Sequence, residues 1–112
     1  MPNFRVMTYN ILFGGVGRES LIREVVSAVA PDVVVFTEVT SADSFKVIAD
    51  VVGPHRAGVT GRSSREHPVI VSRWPIIESE LHGPRWAPRK WVEATLQPFG
   101  GPRVNNVGVH LV

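Results

Sequence analysis

Two apolar runs in the first forty residues, separated by an amphipathic stretch, constrain this chain more than any other feature. Phe4 to Tyr9 runs into Asn10, and Val33 to Thr37 runs into Glu38. Between them Gly14, Gly15 and Gly17 make a loop, and Glu19 to Val29 places Leu21, Ile22, Val25, Val26 and Val29 at helical spacing, with Pro31 as the stop. A strand, a loop, a helix and a strand in that order predict a parallel pair in an α/β sheet. The second run is apolar at consecutive positions, Val33 to Phe36, as expected of a strand covered on both faces. The carboxyl ends of parallel strands open onto the crevice where ligands sit, so Asn10 and Glu38 are delivered together to a candidate site.

The remaining punctuation completes the layout. Ser41 is placed to cap a second helix running through Val52, with Phe45, Ile48, Ala49 and Val52 on its inner face and Gly53 at its stop. Helical periodicity then disappears. Pro68 to Ser72, Ile76 to Leu81, Trp91 to Leu96 and Arg103 to Leu111 read as strands, separated by Trp74-Pro75, by the Gly83 to Arg89 loop and by Pro98-Phe99-Gly100-Gly101-Pro102. These spacings predict an antiparallel meander. With 112 residues and no repeat, linker or low-complexity tract, the chain is expected to form a single domain.

Composition narrows the function classes. A hydrophobic share of 44% without any window of roughly 18 apolar residues predicts a soluble chain with no transmembrane segment. The start, Met1-Pro2-Asn3-Phe4, lacks a charged region followed by an apolar one, so no secretory signal is expected in the sequence. Zero cysteines exclude disulfides, thiolate catalysis and cysteine-based zinc sites, and fit a reducing compartment such as the cytoplasm. The net charge of +2 is unevenly spread: residues 1–54 carry −2 and residues 55–112 carry +4. In the second half Arg85, Arg89 and Lys90 interleave with Trp86 and Trp91, a mixture suited to a polyanion and equally compatible with a solvated loop.

Four segments together carry a family resemblance. Arg5-Val6-Met7-Thr8-Tyr9-Asn10-Ile11, Pro31-Asp32-Val33-Val34-Val35-Phe36-Thr37-Glu38-Val39, Pro68-Val69-Ile70-Val71-Ser72-Arg73-Trp74-Pro75-Ile76 and Val107-Gly108-Val109-His110-Leu111 resemble, in order and spacing, signatures of the amino-terminal half of the endonuclease/exonuclease/phosphatase superfamily. The resemblance implies part of a four-layer α/β sandwich, with two helices and a mixed, largely antiparallel sheet. It implies a phosphoesterase using Mg2+ or Mn2+, acting on nucleic acid, a phospholipid head group or an inositol phosphate. Glu38 matches the ligand of the divalent cation, Asn10 the residue that orients the metal site and the scissile phosphate, and His110 a histidine that assists near the leaving oxygen. Arg73 and Trp74 match structural positions that support a strand turn.

The family's domain continues with a Gly-Asp-x-Asn and a Ser-Asp-His segment, and neither occurs in these residues. A truncated domain, inactive alone and prone to self-association through exposed sheet edges, is therefore the expectation. A non-catalytic fragment keeping a basic binding surface is the alternative.

On the residues alone other roles stay open. Glu38 also suits a solvated strand end, Asn10 a turn that bonds its own backbone, and His110 a satisfied core position. The glycines at 14, 15 and 17 lack the spacing and the lysine of a phosphate-binding loop. His55, His67 and His82 show no ligand spacing and are expected at the surface.

Overall fold

The computed structural model of the protein describes residues 4–11, 15–39, 42–58, 68–82 and 91–108. In chain order these form β1 (Val6–Asn10), α1 (Glu19–Val29), β2 (Val33–Thr37), α2 (Ala42–Ala49), β3 (His55–Ala57), β4 (Val69–Ser72), β5 (Ile76–His82), β6 (Trp91–Leu96) and β7 (Val104–Gly108). Two sheets result, one in the order β1-β2-β4-β3 and one in the order β5-β6-β7.

The parallel pair falls where the apolar runs put it, with Val6 opposite Val33 and Asn10 opposite Thr37. Alternation along β2 and β4 then decides the layers. Val34, Phe36, Val69 and Val71 face the helices and bury against Ile22 and Val26 of α1 and Phe45, Ile48 and Ala49 of α2. Val33, Val35 and Ile70 face the other way, against Val92, Ala94 and Leu96 of β6. Helices, mixed sheet and antiparallel sheet thus make three layers, and the middle one is apolar on both faces, as the unbroken run in β2 predicts.

One expectation changes in detail. The strand expected at Pro68 to Ser72 does not begin a four-stranded meander. It inserts between β2 and β3, pairing antiparallel to both. The meander consists of β5, β6 and β7. Trp74 turns the chain between the sheets: it is buried, its N–H donates to Ser72 Oγ at 2.9 Å, and Phe4 meets its ring edge-on at 5.5 Å. Asp32 ties the same corner. Its carboxylate accepts from the Arg5 backbone N–H and from Arg73 Nη1, both at 2.8 Å, which gives Arg73 the supporting role expected of it.

α1 begins at Glu19 and ends where Ala30 adopts φ +52° and donates its N–H to Val26 O. Ser41, the expected cap of α2, lies outside the described residues; α2 itself stops at Ala49, and turns carry the chain to Val52. Gly53 meets a different demand from a helix stop. A Cβ there would lie 2.5 Å from Arg73 Cα and 2.6 Å from Ser72 O, so only glycine lets this segment cross the end of β4.

Among the described residues, polar contacts join the two helices at two points: Ser44 Oγ donates to Glu19 Oε2 at 2.7 Å, and Arg23 Nη1 donates to Val47 O. The Ser44 hydrogen bond, more than any other influence, holds the Glu19 carboxyl below its ordinary range. A depressed folded-state value means the stabilisation is complete above the ordinary carboxylate pKa, about 4.3, and is lost as pH falls through the lower folded value. Ser44→Ala is therefore expected to move the Glu19 midpoint up toward its ordinary value in a carbon-detected NMR titration, leaving neutral-pH folding intact.

Candidate functional site

β1 and β2 run parallel and stop together, so their carboxyl ends present Asn10 and, one residue past its partner Thr37, Glu38. Adjacent strands lie about 4.8 Å apart, which sets the two backbones side by side at one edge of the mixed sheet. Apolar anchors fix both. Ile11 and Val39, the next residue in each case, are fully buried, and Ile11 N–H donates to Thr37 O at 3.2 Å, continuing the ladder past the last pair. Glu38 itself is only half-buried.

Glu38 also has an unusual backbone. Its φ is +61°, and Ala30 is the only other non-glycine with a positive φ among the described residues. For Ala30 the left-handed turn closes a helix. Glu38 has no helix to close, and a left-handed non-glycine residue costs on the order of 1–3 kcal/mol, the kind of local strain that concentrates at functional sites. Glu38 falls directly after the last residue of β2 and before the buried Val39.

Arg18 was not singled out from sequence, yet its Nη2 donates to Ile11 O at 2.9 Å, which sets a guanidinium beside the end of β1. Gly15, at φ +70°, is packed against Ile22, Ile48 and Ile11, so this glycine is a core contact. A carboxylate and a side-chain amide are hard oxygen donors, of the kind that hard divalent cations take. His110, Arg85, Arg89 and Lys90 lie outside the described residues, as does His67.

A second group of chemistry-bearing side chains lies on the antiparallel sheet. Glu80, His82 and Glu93 bring one ligand atom each to within 4.8 Å of one another. His82 was expected to be a surface histidine without ligand spacing. It is half-buried, and the strand pairing supplies the neighbours that linear spacing does not show. The available signal was the Glu80-x-His82 alternation, which places both on one strand face; the register that brings Glu93 opposite was not legible.

The fold has counterparts among solved structures. Sphingomyelinase C from Streptomyces griseocarneus is 24% identical over 98% of this chain and 49% of that one, with a TM-score of 0.69. A β-hairpin deletion mutant of beta toxin from Staphylococcus aureus is 20% identical over 96% and 51%, also at 0.69. Truncated Caenorhabditis elegans TDP2 is 21% identical over 97% and 46%, at 0.66. This chain has the endonuclease/exonuclease/phosphatase fold. It spans about half the length of each of these structures. No family model and no curated protein matches the sequence. Within the endonuclease/exonuclease/phosphatase fold, the three layers described above account for the part of the α/β sandwich that this chain supplies, and none of its described helices is long and apolar enough to cross a membrane.

Proposed function

We propose that the chain supplies the metal-binding edge of a divalent-metal-dependent phosphoesterase. The observation that carries this reading is the pair of parallel strands ending together at Asn10 and Glu38, with Glu38 held in a left-handed conformation. Sphingomyelinase C, by its name, acts on sphingomyelin, and a beta toxin of the same fold has a structure with bound magnesium ions. Both support the general kind of reaction.

In this reading Glu38 would hold Mg2+ through its carboxylate, and the Asn10 side chain would orient the phosphoryl group. When bound, the cation would supply charge stabilisation at the phosphoryl oxygens and lower the pKa of water. His110 assists proton transfer near the leaving oxygen, and Arg85, Arg89 and Lys90 contribute positive charge toward the substrate's phosphates. Nucleic acid, a phospholipid head group or an inositol phosphate would each meet these demands. The 112 residues contain neither Gly-Asp-x-Asn nor Ser-Asp-His, the segments to which the resemblance assigns the water-activating groups, and the chain by itself is proposed to turn over phosphodiesters no faster than buffer.

Manganese tests the metal edge directly. Adding Mn2+ to the isotope-labelled chain is expected to broaden the amide resonances of Asn10, Ile11, Glu38 and Val39 first, with Mg2+ competing the effect away. Glu38→Gln should abolish the broadening at these positions. Broadening that survives the substitution removes Glu38 as the ligand and the reading with it.

A further inference from the structure

We propose that Glu80, His82 and Glu93 form a second metal site, of the kind taken by Zn2+ or another transition ion, on the outer face of the antiparallel sheet. Register is the starting point. Glu80 stands directly opposite Glu93, and His82 directly opposite Trp91. Like charges directly opposed across antiparallel strands repel each other, and a cation held between the two glutamates would offset that repulsion.

The geometry provides a place for one. His82 Nε2 lies 3.1 Å from Glu93 Oε1 and 3.6 Å from Glu80 Oε2. Ligands held about 2.0–2.2 Å from a tetrahedral ion stand roughly 3.4 Å from each other, which these separations bracket. Neighbouring groups fix two of the three donors. Asn105 Nδ2 donates to Glu93 Oε2 at 2.8 Å, leaving Oε1 turned toward the histidine. The Trp91 indole stacks on the imidazole at 5.5 Å and 18°, setting the ring plane. Such supporting contacts orient ligands in established metal centres.

One imidazole nitrogen with two carboxylates selects a borderline ion over Mg2+. Glu80 is 70% exposed, so further coordination positions stay open to water. The other face of β6 buries Val92, Ala94 and Leu96 against the mixed sheet, placing this cluster on the side turned away from the strand end that bears Glu38. The proposal therefore stands independently of the phosphoesterase reading. An ion here would clip β5 to β6, with Asn105 extending the support to β7.

The test is a calorimetric ZnCl2 titration of the metal-stripped 112-residue chain in excess Mg2+, so that a magnesium edge cannot contribute. One equivalent is expected to bind with a dissociation constant on the order of 1 µM. Co2+ in its place should give visible absorption bands of a low-coordinate site. His82→Gln and Glu80→Gln should each weaken Zn2+ at least tenfold, and Asn105→Ala roughly tenfold through the supporting contact. Zn2+ should also raise the melting temperature of the parent chain and leave that of His82→Gln unmoved. Because Glu80 is largely exposed, Glu80→Gln is expected to fold, checked by circular dichroism. No saturable heat at micromolar Zn2+, or affinity unchanged in Glu80→Gln and His82→Gln, means that the three groups form an ion-pair network only and overturns the proposal.

Discussion

Phe36→Ala is expected to remove about 3–5 kcal/mol of folding free energy, the range for deleting a fully buried aromatic ring. Phe36 has no exposed surface and occupies the centre of the helix-facing core, stacked with Tyr9 at 6.4 Å and meeting Phe45 edge-on at 5.3 Å. Its ring links β2, the strand it belongs to, with β1 through Tyr9 and with α2 through Phe45. Domains of this size are stable by only about 5–15 kcal/mol, so a substantial part of the total is at stake. Urea unfolding followed by tryptophan fluorescence should show the midpoint falling sharply at nearly constant slope. Val25→Ala, on the exposed side of α1, should stay within about 0.5 kcal/mol. A loss below roughly 1 kcal/mol for Phe36→Ala would contradict the packing described here.

Phe36 also illustrates what the sequence makes legible. An unbroken apolar run bounded by Pro31 and Glu38 admits few structures besides a strand buried on both faces, and β2 follows that reading residue by residue. The same holds for α1, where periodicity and Pro31 locate both ends. Asn10 and Glu38 were legible as strand-end residues because parallel pairing sends both carboxyl ends to one edge.

Information that depends on distant partners was not legible. β4 joins the mixed sheet because Val69 and Val71 find the helices while Ile70 finds β6, and no local pattern distinguishes that from a meander. β3, three residues long, has too short a run to show any period. Gly53 reads as a helix stop, whereas the demand on it comes from Arg73 and Ser72, some twenty residues later. The left-handed turn at Glu38 has no sequence signal at all, since glutamate is not a residue that favours it. His82 gains its carboxylate neighbours only through the register of β5 on β6.

If Glu38 holds the metal as proposed, its replacement should be felt more than any other in catalysis. Joined to segments bearing Gly-Asp-x-Asn and Ser-Asp-His, these 112 residues are expected to hydrolyse a generic phosphodiester such as bis(p-nitrophenyl) phosphate only when Mg2+ is present. Glu38→Gln should then lower kcat by about 10²–10³-fold, the magnitude attached to losing one group that stabilises developing charge. Glutamine keeps the length and the hydrogen-bonding oxygen and removes the negative charge, so the deficit reports the charge. The Mg2+ concentration for half-maximal rate should rise as well, because a hard cation loses its anionic ligand. Asn10→Ala, acting by orientation, should cost less, and Val25→Ala, on the far side of α1, should leave the rate unchanged. A Glu38→Gln enzyme within threefold of its parent at saturating Mg2+ would show that the metal is held elsewhere, and that the strain at the end of β2 serves something other than the reaction.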